Sequence, residues 1–366
     1  MATMNEFDLI RRYFERQPPL LRPGEQGSLL PVTQTSHLEG QSLLQLGIGD
    51  DCALLRGPLE GAHLAVSSDM LVAGRHFFED ADPAALGHKA LAVNLSDLAA
   101  MGARPLAFTL ALALPQADHA WLAAFSRGLL ALAGEHGCPL VGGDTTRGPL
   151  NVCITVFGQT PRGQAMTRAG ARDGDDIWIS GSLGAARLAL HALQGRITLP
   201  PATLAAARQR LERPAPRVAL GLALRGVARS AIDLSDGLAG DLPHVLQASS
   251  LAAGQPLGAV LDEQALIGLT APWAHQEPGA PDAAARLQAA LAGGDDYELL
   301  FTAAPDARQA VQAAAAAAQT PVTRAGCITR EDIHAAPAPA PIRLRAASGA
   351  LRPLPAQARG FDHFAA

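Results

Sequence analysis

The chain has 366 residues, 48% of them apolar and 17% charged, with a formal net charge of −5. That length points to two domains, and that composition excludes a disordered chain. The negative balance and an aromatic content of 4% argue against a broad polyanion-binding surface and against base-stacking platforms.

Lys89 is the single lysine in the chain. No GxxxxGK[ST] sequence occurs, which excludes a P-loop enzyme. Cys52, Cys138, Cys153 and Cys327 show no CxxC spacing. Neither a structural zinc site nor a disulfide framework is expected, and the expected setting is a reducing cytoplasm. Residues 1–14 carry Glu6 and Asp8 and have no continuous apolar stretch of the signal-peptide kind. No charge-free apolar run reaches the roughly 18 residues of a membrane span.

The pattern alternates strands and helices. Residues 5–16 read as a short helix, and 17–42, rich in Pro, Gly, Ser and Gln, as a loop. A strand is expected over His63–Ser67, ending at Ser68-Asp69. A helix over Pro83–Met101 starts on proline and stops at Gly102. Leu106–Leu114 alternates as a strand does, Asp118–His136 is helical, and Pro139–Val141 is a brief strand running into Gly142-Gly143-Asp144. Val152–Phe157 alternates again. A boundary falls near 160–166, giving domains over 1–160 and 161–366. In the second half, strands are expected at Asp176–Ser180 and Ala231–Leu234. Gly181-Ser182-Leu183-Gly184 opens a helix running to Leu193, and an alanine-dense helix covers 306–319. Residues 270–287 read as an enlarged loop and 335–341 as a short Ala/Pro linker.

Six segments share one design, an apolar edge, then small residues, then aspartate. They end at Asp50-Asp51, Ser67-Ser68-Asp69, Ser96-Asp97, Gly142-Gly143-Asp144, Asp233-Leu234-Ser235-Asp236-Gly237 and Gly293-Gly294-Asp295-Asp296-Tyr297. An ionised carboxylate in an apolar setting is unfavourable unless it is paired or metal-bound. Oxygen-only donors suit Mg²⁺, which keeps waters and is shared with substrate phosphates. Aspartate after a strand is also a common helix cap or turn residue, and both readings stand for any one segment. Gly181-Ser182-Leu183-Gly184 before a helix could cradle a phosphate, though an ordinary tight turn has the same appearance. It is not GxGxxG, so a dinucleotide fold is not supported. Arg168 lies between the halves, where a phosphate-bridging role and a plain surface arginine are both open. His76 follows the Ser-Ser-Asp segment. Tyr297 and Phe361 are among the few aromatics available to stack on a ring.

Taken together and in order, these segments resemble the thiamine-monophosphate kinase family, within the ATP-binding superfamily that includes aminoimidazole ribonucleotide synthetase. The resemblance runs from Gly47-Ile48-Gly49-Asp50-Asp51 through Ser67-Ser68-Asp69, Lys89 to Ala103 and Gly142-Gly143-Asp144-Thr145-Thr146. It continues through Asp233 to Leu238, Gly293 to Leu299 and Gly360-Phe361-Asp362-His363-Phe364. It implies a two-domain α/β fold, with the N-terminal domain binding ATP and Mg²⁺ and pairing in a homodimer, and a C-terminal α/β domain closing the cleft. By position it implies Asp50, Asp51, Ser67, Ser68, Asp69, Asp97, Asp144, Asp233 and Asp236 as metal ligands. Gly143, Asp144, Arg168 and Ser235 would contact ATP. His76, Asp295 and Phe361 would hold thiamine monophosphate. The chain departs from the family where Asp295 replaces a common glutamate and Phe361 a common tyrosine. The implied reaction forms thiamine diphosphate from ATP and thiamine monophosphate by in-line transfer, with several Mg²⁺ ions and no protein general base. A selenophosphate-type sister enzyme is disfavoured because residues 1–45 hold neither Cys nor Lys. A two-metal phosphohydrolase is disfavoured because histidine is scarce in the motifs.

Overall fold

The computed structural model describes residues 44–46, 54–55, 61–270, 280–331, 341–358 and 360. The helix expected over 5–16, the loop over 17–42 and the site candidates Asp50, Asp51 and Phe361 lie outside them. The chain divides into two units, one of residues up to Leu98 with Arg104–Arg162, the other of Ala99–Ala103 with the residues from Gly163 onward.

In the first unit, β1 (Leu44–Leu46) pairs antiparallel with β2 (Leu54–Leu55). A four-stranded sheet follows, made of β3 (Ala62–Val72), β4 (Arg104–Leu114), β5 (Leu140–Arg147) and β6 (Asn151–Pro161), in the order β3-β6-β4-β5. Among the described residues the unit has two helices, α1 (Pro83–Ala100) and α2 (His119–Glu135). α1 begins where the Asp82 carboxylate accepts the Ala84 and Ala85 amides, and the chain leaves it through Gly102 at φ +60°. α2 begins at Asp118, whose side chain accepts from the Ala120 and Trp121 amides. Gly87 and Gly128 let the two helices touch. A β-carbon on Gly87 would lie 2.1 Å from the Phe125 carbonyl oxygen, and one on Gly128 1.9 Å from that of Ala84. Leu91, Leu95 and Leu98 of α1 and Leu122, Phe125 and Leu129 of α2 are fully buried. Each such side chain contributes about 1.5–3 kcal/mol of burial.

The sheet has two unlike faces. Phe108, Leu110 and Leu112 of β4 and Val152, Ile154 and Val156 of β6 are buried on one. On the other, Leu64, Val66 and Met70 of β3 are 48%, 56% and 53% exposed.

The second unit is built on a seven-stranded sheet. Its strands are β7 (Asp176–Ser180), β8 (Ser230–Asp233), β9 (Leu257–Asp262), β10 (Leu299–Ala303), β11 (Val322–Arg330), β12 (Ile342–Arg345) and β13 (Leu351–Pro353). They lie in the order β13-β12-β9-β11-β7-β10-β8, and only β12 with β9 runs parallel. The helices are α3 (Ala185–Leu193), α4 (Pro201–Glu212), α5 (Val218–Ala223), α6 (Leu238–Ala253), α7 (Glu263–Leu269), α8 (Ala283–Ala292) and α9 (Arg308–Ala317). Ile177, Ile179, Ile232, Leu242, Val245, Leu261 and Leu300 form the core between the sheet and α6.

Two expectations need correction. The segment Gly142-Gly143-Asp144, read as leaving a brief strand, is the middle of β5, because parallel pairing to β4 carries the strand on to Arg147. The loop expected over 270–287 includes the first turns of α8, where Asp282 caps the helix through the Ala285 amide.

Candidate active site

In the first unit, the period of two along β3 separates neighbouring candidates. Ser67 and Asp69 sit half-buried on the side shared with Leu71, whereas Ser68 lies on the exposed side. There the Ser68 hydroxyl is 3.0 Å from Thr155 Oγ1 and donates to the Ile154 carbonyl at 3.1 Å. The structure brings Ser67 and Asp69 to α1. The Ser67 hydroxyl donates to Asp97 Oδ2 at 2.5 Å. One turn earlier on α1, Asn94 Oδ1 accepts the Asp69 amide at 3.1 Å, and its own amide is tied to the Ala90 carbonyl. Burial, then the charge of Asp97 and a hydrogen bond to it, push the Asp69 carboxyl up to about 7. Two carboxylates and a hydroxyl on one strand–helix seam form an all-oxygen donor set, whose mutual repulsion a hard divalent cation would relieve.

The remaining candidates of this unit stand on other segments. Asp144 is exposed on β5. Gly143 has φ +145°, and a β-carbon there would lie 1.8 Å from the Leu110 carbonyl oxygen. Its glycine is therefore required by close strand packing, whatever it contacts besides. His76 accepts the Val72 amide through Nδ1 at 3.0 Å and closes the turn after β3. Among the described residues, no group of three or more His, Cys, Asp or Glu side chains is placed to hold a metal ion.

In the second unit, the loop after β8 is organised by α6. Asp233 is buried at the strand end. Asp241, in the first turn of α6, accepts the Asp236 amide at 3.1 Å. Burial first and the Asp236 charge second push its carboxyl up to about 7, against the Asp236 and Gly237 amides and the charge of Arg168. Ser249, lower on α6, donates to the Arg168 carbonyl and accepts the Gly170 and Ala171 amides. Arg168 and Asp236 thus hang on one helix. Gly360 also packs there, since a β-carbon on Gly240 would meet its Cα at 2.8 Å. The residue before Phe361 therefore lies against the same turn.

Asp295 belongs to the loop before β10. Its amide donates to the Ser235 carbonyl, and the Tyr297 amide donates to that of Leu234. Asp295 and Tyr297 have φ of +65° and +50°. Such strain costs about 1–3 kcal/mol per residue and persists only where the surroundings impose it. The sequence reading gave no role to the two buried acids that alternate with Asp295 and Tyr297. Asp296 accepts the Gly184 amide at 2.8 Å, and Glu298, fully buried, is paired with Arg210 and Arg217. Burial raises the Asp296 carboxyl well above its ordinary range. The alternation Asp295/Tyr297 against Asp296/Glu298 was the available signal for the two acids; nothing local singled out Arg210 or Arg217.

Comparison with known proteins fixes the family. A family model described as AIR synthase related protein, N-terminal domain, matches residues 49–160. The chain is 44% identical over 327 residues to thiamine-monophosphate kinase of Escherichia coli K12, covering 89% of this chain and 91% of the relative. The chain belongs to the thiamine-monophosphate kinase family. The corresponding protein of Salmonella typhimurium LT2 is 46% identical over 298 residues, covering 81% and 82%. The crystal structure of thiamine-monophosphate kinase from Stenotrophomonas maltophilia K279a superposes with a TM-score of 0.73 at 43% identity, covering 82% of this chain and 91% of that one. The mixed α/β sheets and helices described above are therefore the family's fold.

Proposed function

We propose that the chain catalyses its family's reaction, ATP-dependent phosphorylation of thiamine monophosphate to thiamine diphosphate, by direct in-line transfer. The observation that carries the chemistry is the seam of Ser67, Asp69 and Asp97. Its donors fit Mg²⁺, and Asp50, Asp51, Asp144, Asp233 and Asp236 complete the proposed ligand set; the Ser68 side chain, on the opposite face of β3 and engaged with Ile154 and Thr155, is left out of it. Bound there, the cations would neutralise phosphate charge and act as Lewis acids on the transferring group.

The chain's own residues then have limited tasks. The acceptor phosphate is largely ionised near neutral pH, its second pKa being about 6, so no side chain need remove a proton. Gly143, Asp144, Arg168 and Ser235 are assigned to ATP, with Arg168 supplying a fixed positive charge beside Asp236 and Asp241. His76, Asp295 and Phe361 are assigned to thiamine monophosphate. Positioning and electrostatics account for the rate. In this reading residues 1–160 form the ATP- and Mg²⁺-binding, dimerising domain, and residues 161–366, with Arg168, Asp233, Ser235 and Asp236, the domain that closes the cleft.

We also read the exposed apolar side of β3, with Leu64, Val66 and Met70, as the surface on which a second copy packs. A cytoplasmic location accords with the free thiols of Cys138, Cys153 and Cys327. No helix among the described residues is long and apolar enough to cross a membrane.

The test is ADP formation from ATP and Mg²⁺ with thiamine monophosphate, thiamine or no acceptor, the product identified by mass. ADP appearing only with thiamine monophosphate, matched by thiamine diphosphate, is expected. Turnover indifferent to the acceptor would overturn the assignment.

A further inference from the structure

The segment 295–298 is anchored on alternate residues. Asp296 and Glu298 turn into the second unit, while Asp295 and Tyr297 hold left-handed backbone between and before them. Glu298 is gripped on both carboxylate oxygens. Its Oε2 accepts from Arg217 Nε and from the Ser180 hydroxyl, each at 2.6 Å. Its Oε1 accepts from Arg217 Nη2 and from Arg210. The Ser180 hydroxyl in turn accepts the Leu299 amide at 2.8 Å. Gly181 closes over the carboxylate, with room for no β-carbon, since one would lie 1.9 Å from Oε1. The Glu298 carbonyl accepts the Leu234 amide, which ties this anchor to the strand leading into Ser235 and Asp236.

A planar guanidinium bound through two N–H groups fixes both the position and the rotation of a carboxylate, which a lysine cannot do. An ion pair needed only for stability has no use for such control. Backbone strained at two nearby residues does, because it relaxes once its anchor loosens.

We propose that Glu298, held by the Arg217 fork, is a positioning residue for acceptor recognition, fixing Asp295 in its left-handed conformation at the thiamine monophosphate site. The proposal rests on the assignment of Asp295 to that acceptor.

The experiment compares the full chain with Asp295→Ala, Arg217→Lys, Glu298→Gln and the Asp295→Ala/Arg217→Lys double variant. The Michaelis constants for thiamine monophosphate and for ATP are measured separately, with folding checked by circular dichroism. Arg217→Lys keeps the charge and loses the fork. It is expected to raise KM for thiamine monophosphate about tenfold, with kcat and the KM for ATP changed about twofold or less. In the double variant the two effects should fail to multiply, because one residue acts through the other. A KM raised by Asp295→Ala and untouched by Arg217→Lys, or effects that multiply fully, would overturn the proposal alone. An Asp295→Ala chain with ordinary KM would overturn the assignment of Asp295 and the proposal with it. If Glu298→Gln does not fold, Ser180→Ala, which removes one contact to the same carboxylate, takes its place with the same expectations.

Discussion

Two groups of buried or half-buried acids in this chain have opposite surroundings. On the β3–α1 seam, Asp69 and Asp97 face each other, and burial, charge and hydrogen bonding all push Asp69 upward. On the β10 side of the second unit, Glu298 is met by two arginines and a serine hydroxyl, and Asp296 by a backbone amide. The same chemistry serves two ends. An acid whose protein partners satisfy it holds backbone in place, whereas acids set against each other are what the proposed cation site requires.

Removing one member of each group separates these roles. Asp97→Asn is expected to lower kcat about 10²-fold or more while leaving the circular dichroism unchanged. Near-normal turnover at limiting magnesium would erase the distinction. Arg217→Ala should act on stability, because it strips the fork from a fully buried carboxylate. A loss of about 3 kcal/mol is expected from the shift in denaturant midpoint, with Arg210 left as partial compensation. A midpoint unchanged within error would mean that Glu298 is not an anchor.

The two raised carboxyls, Asp69 beside Asp97 and Asp241 beside Asp236, also predict a sign for pH. Asp69 and Asp241 titrate near 7 in the folded chain and near 3.9 unfolded. Between those values the folded state binds more protons. The favourable contribution is full below about 4 and is lost as pH rises to about 7. Metal-free protein should therefore show a shallower fall of Tm over that range in Asp69→Asn than in the parent chain. Equal slopes would contradict the coupling. The smallest effect is a control that belongs to neither group. Asp118→Ala removes the cap of α2 and should lower stability by about 1 kcal/mol, with activity intact.

Much of this was legible from residue order. The helix over Pro83–Ala100 and the strand Asp176–Ser180 follow from apolar period and from proline and glycine punctuation. The aspartates drew notice because carboxylates followed small residues in apolar stretches. What stayed hidden depends on contacts distant in sequence. The split of Ser67 and Asp69 from Ser68 follows from strand register, once β3 is known to run to Val72. The strand character of Gly142-Gly143-Asp144 required its partner β4. Glu298 meets Arg210 and Arg217 across more than 80 positions of sequence, and no local pattern announces such a pairing. Asp241 passed as an ordinary helix residue because its significance lies in the Asp236 amide above it.

The most direct test is thermal unfolding of metal-stripped protein at pH 8 with increasing magnesium, for the parent chain and for Asp97→Asn. If the β3–α1 seam holds a cation, Asp97→Asn starts at a higher Tm than the parent, because the repulsion is gone, and loses most of the magnesium-dependent rise. A variant that starts below the parent and rises with magnesium just as steeply would show that the pair is scaffold and that the cation lies elsewhere.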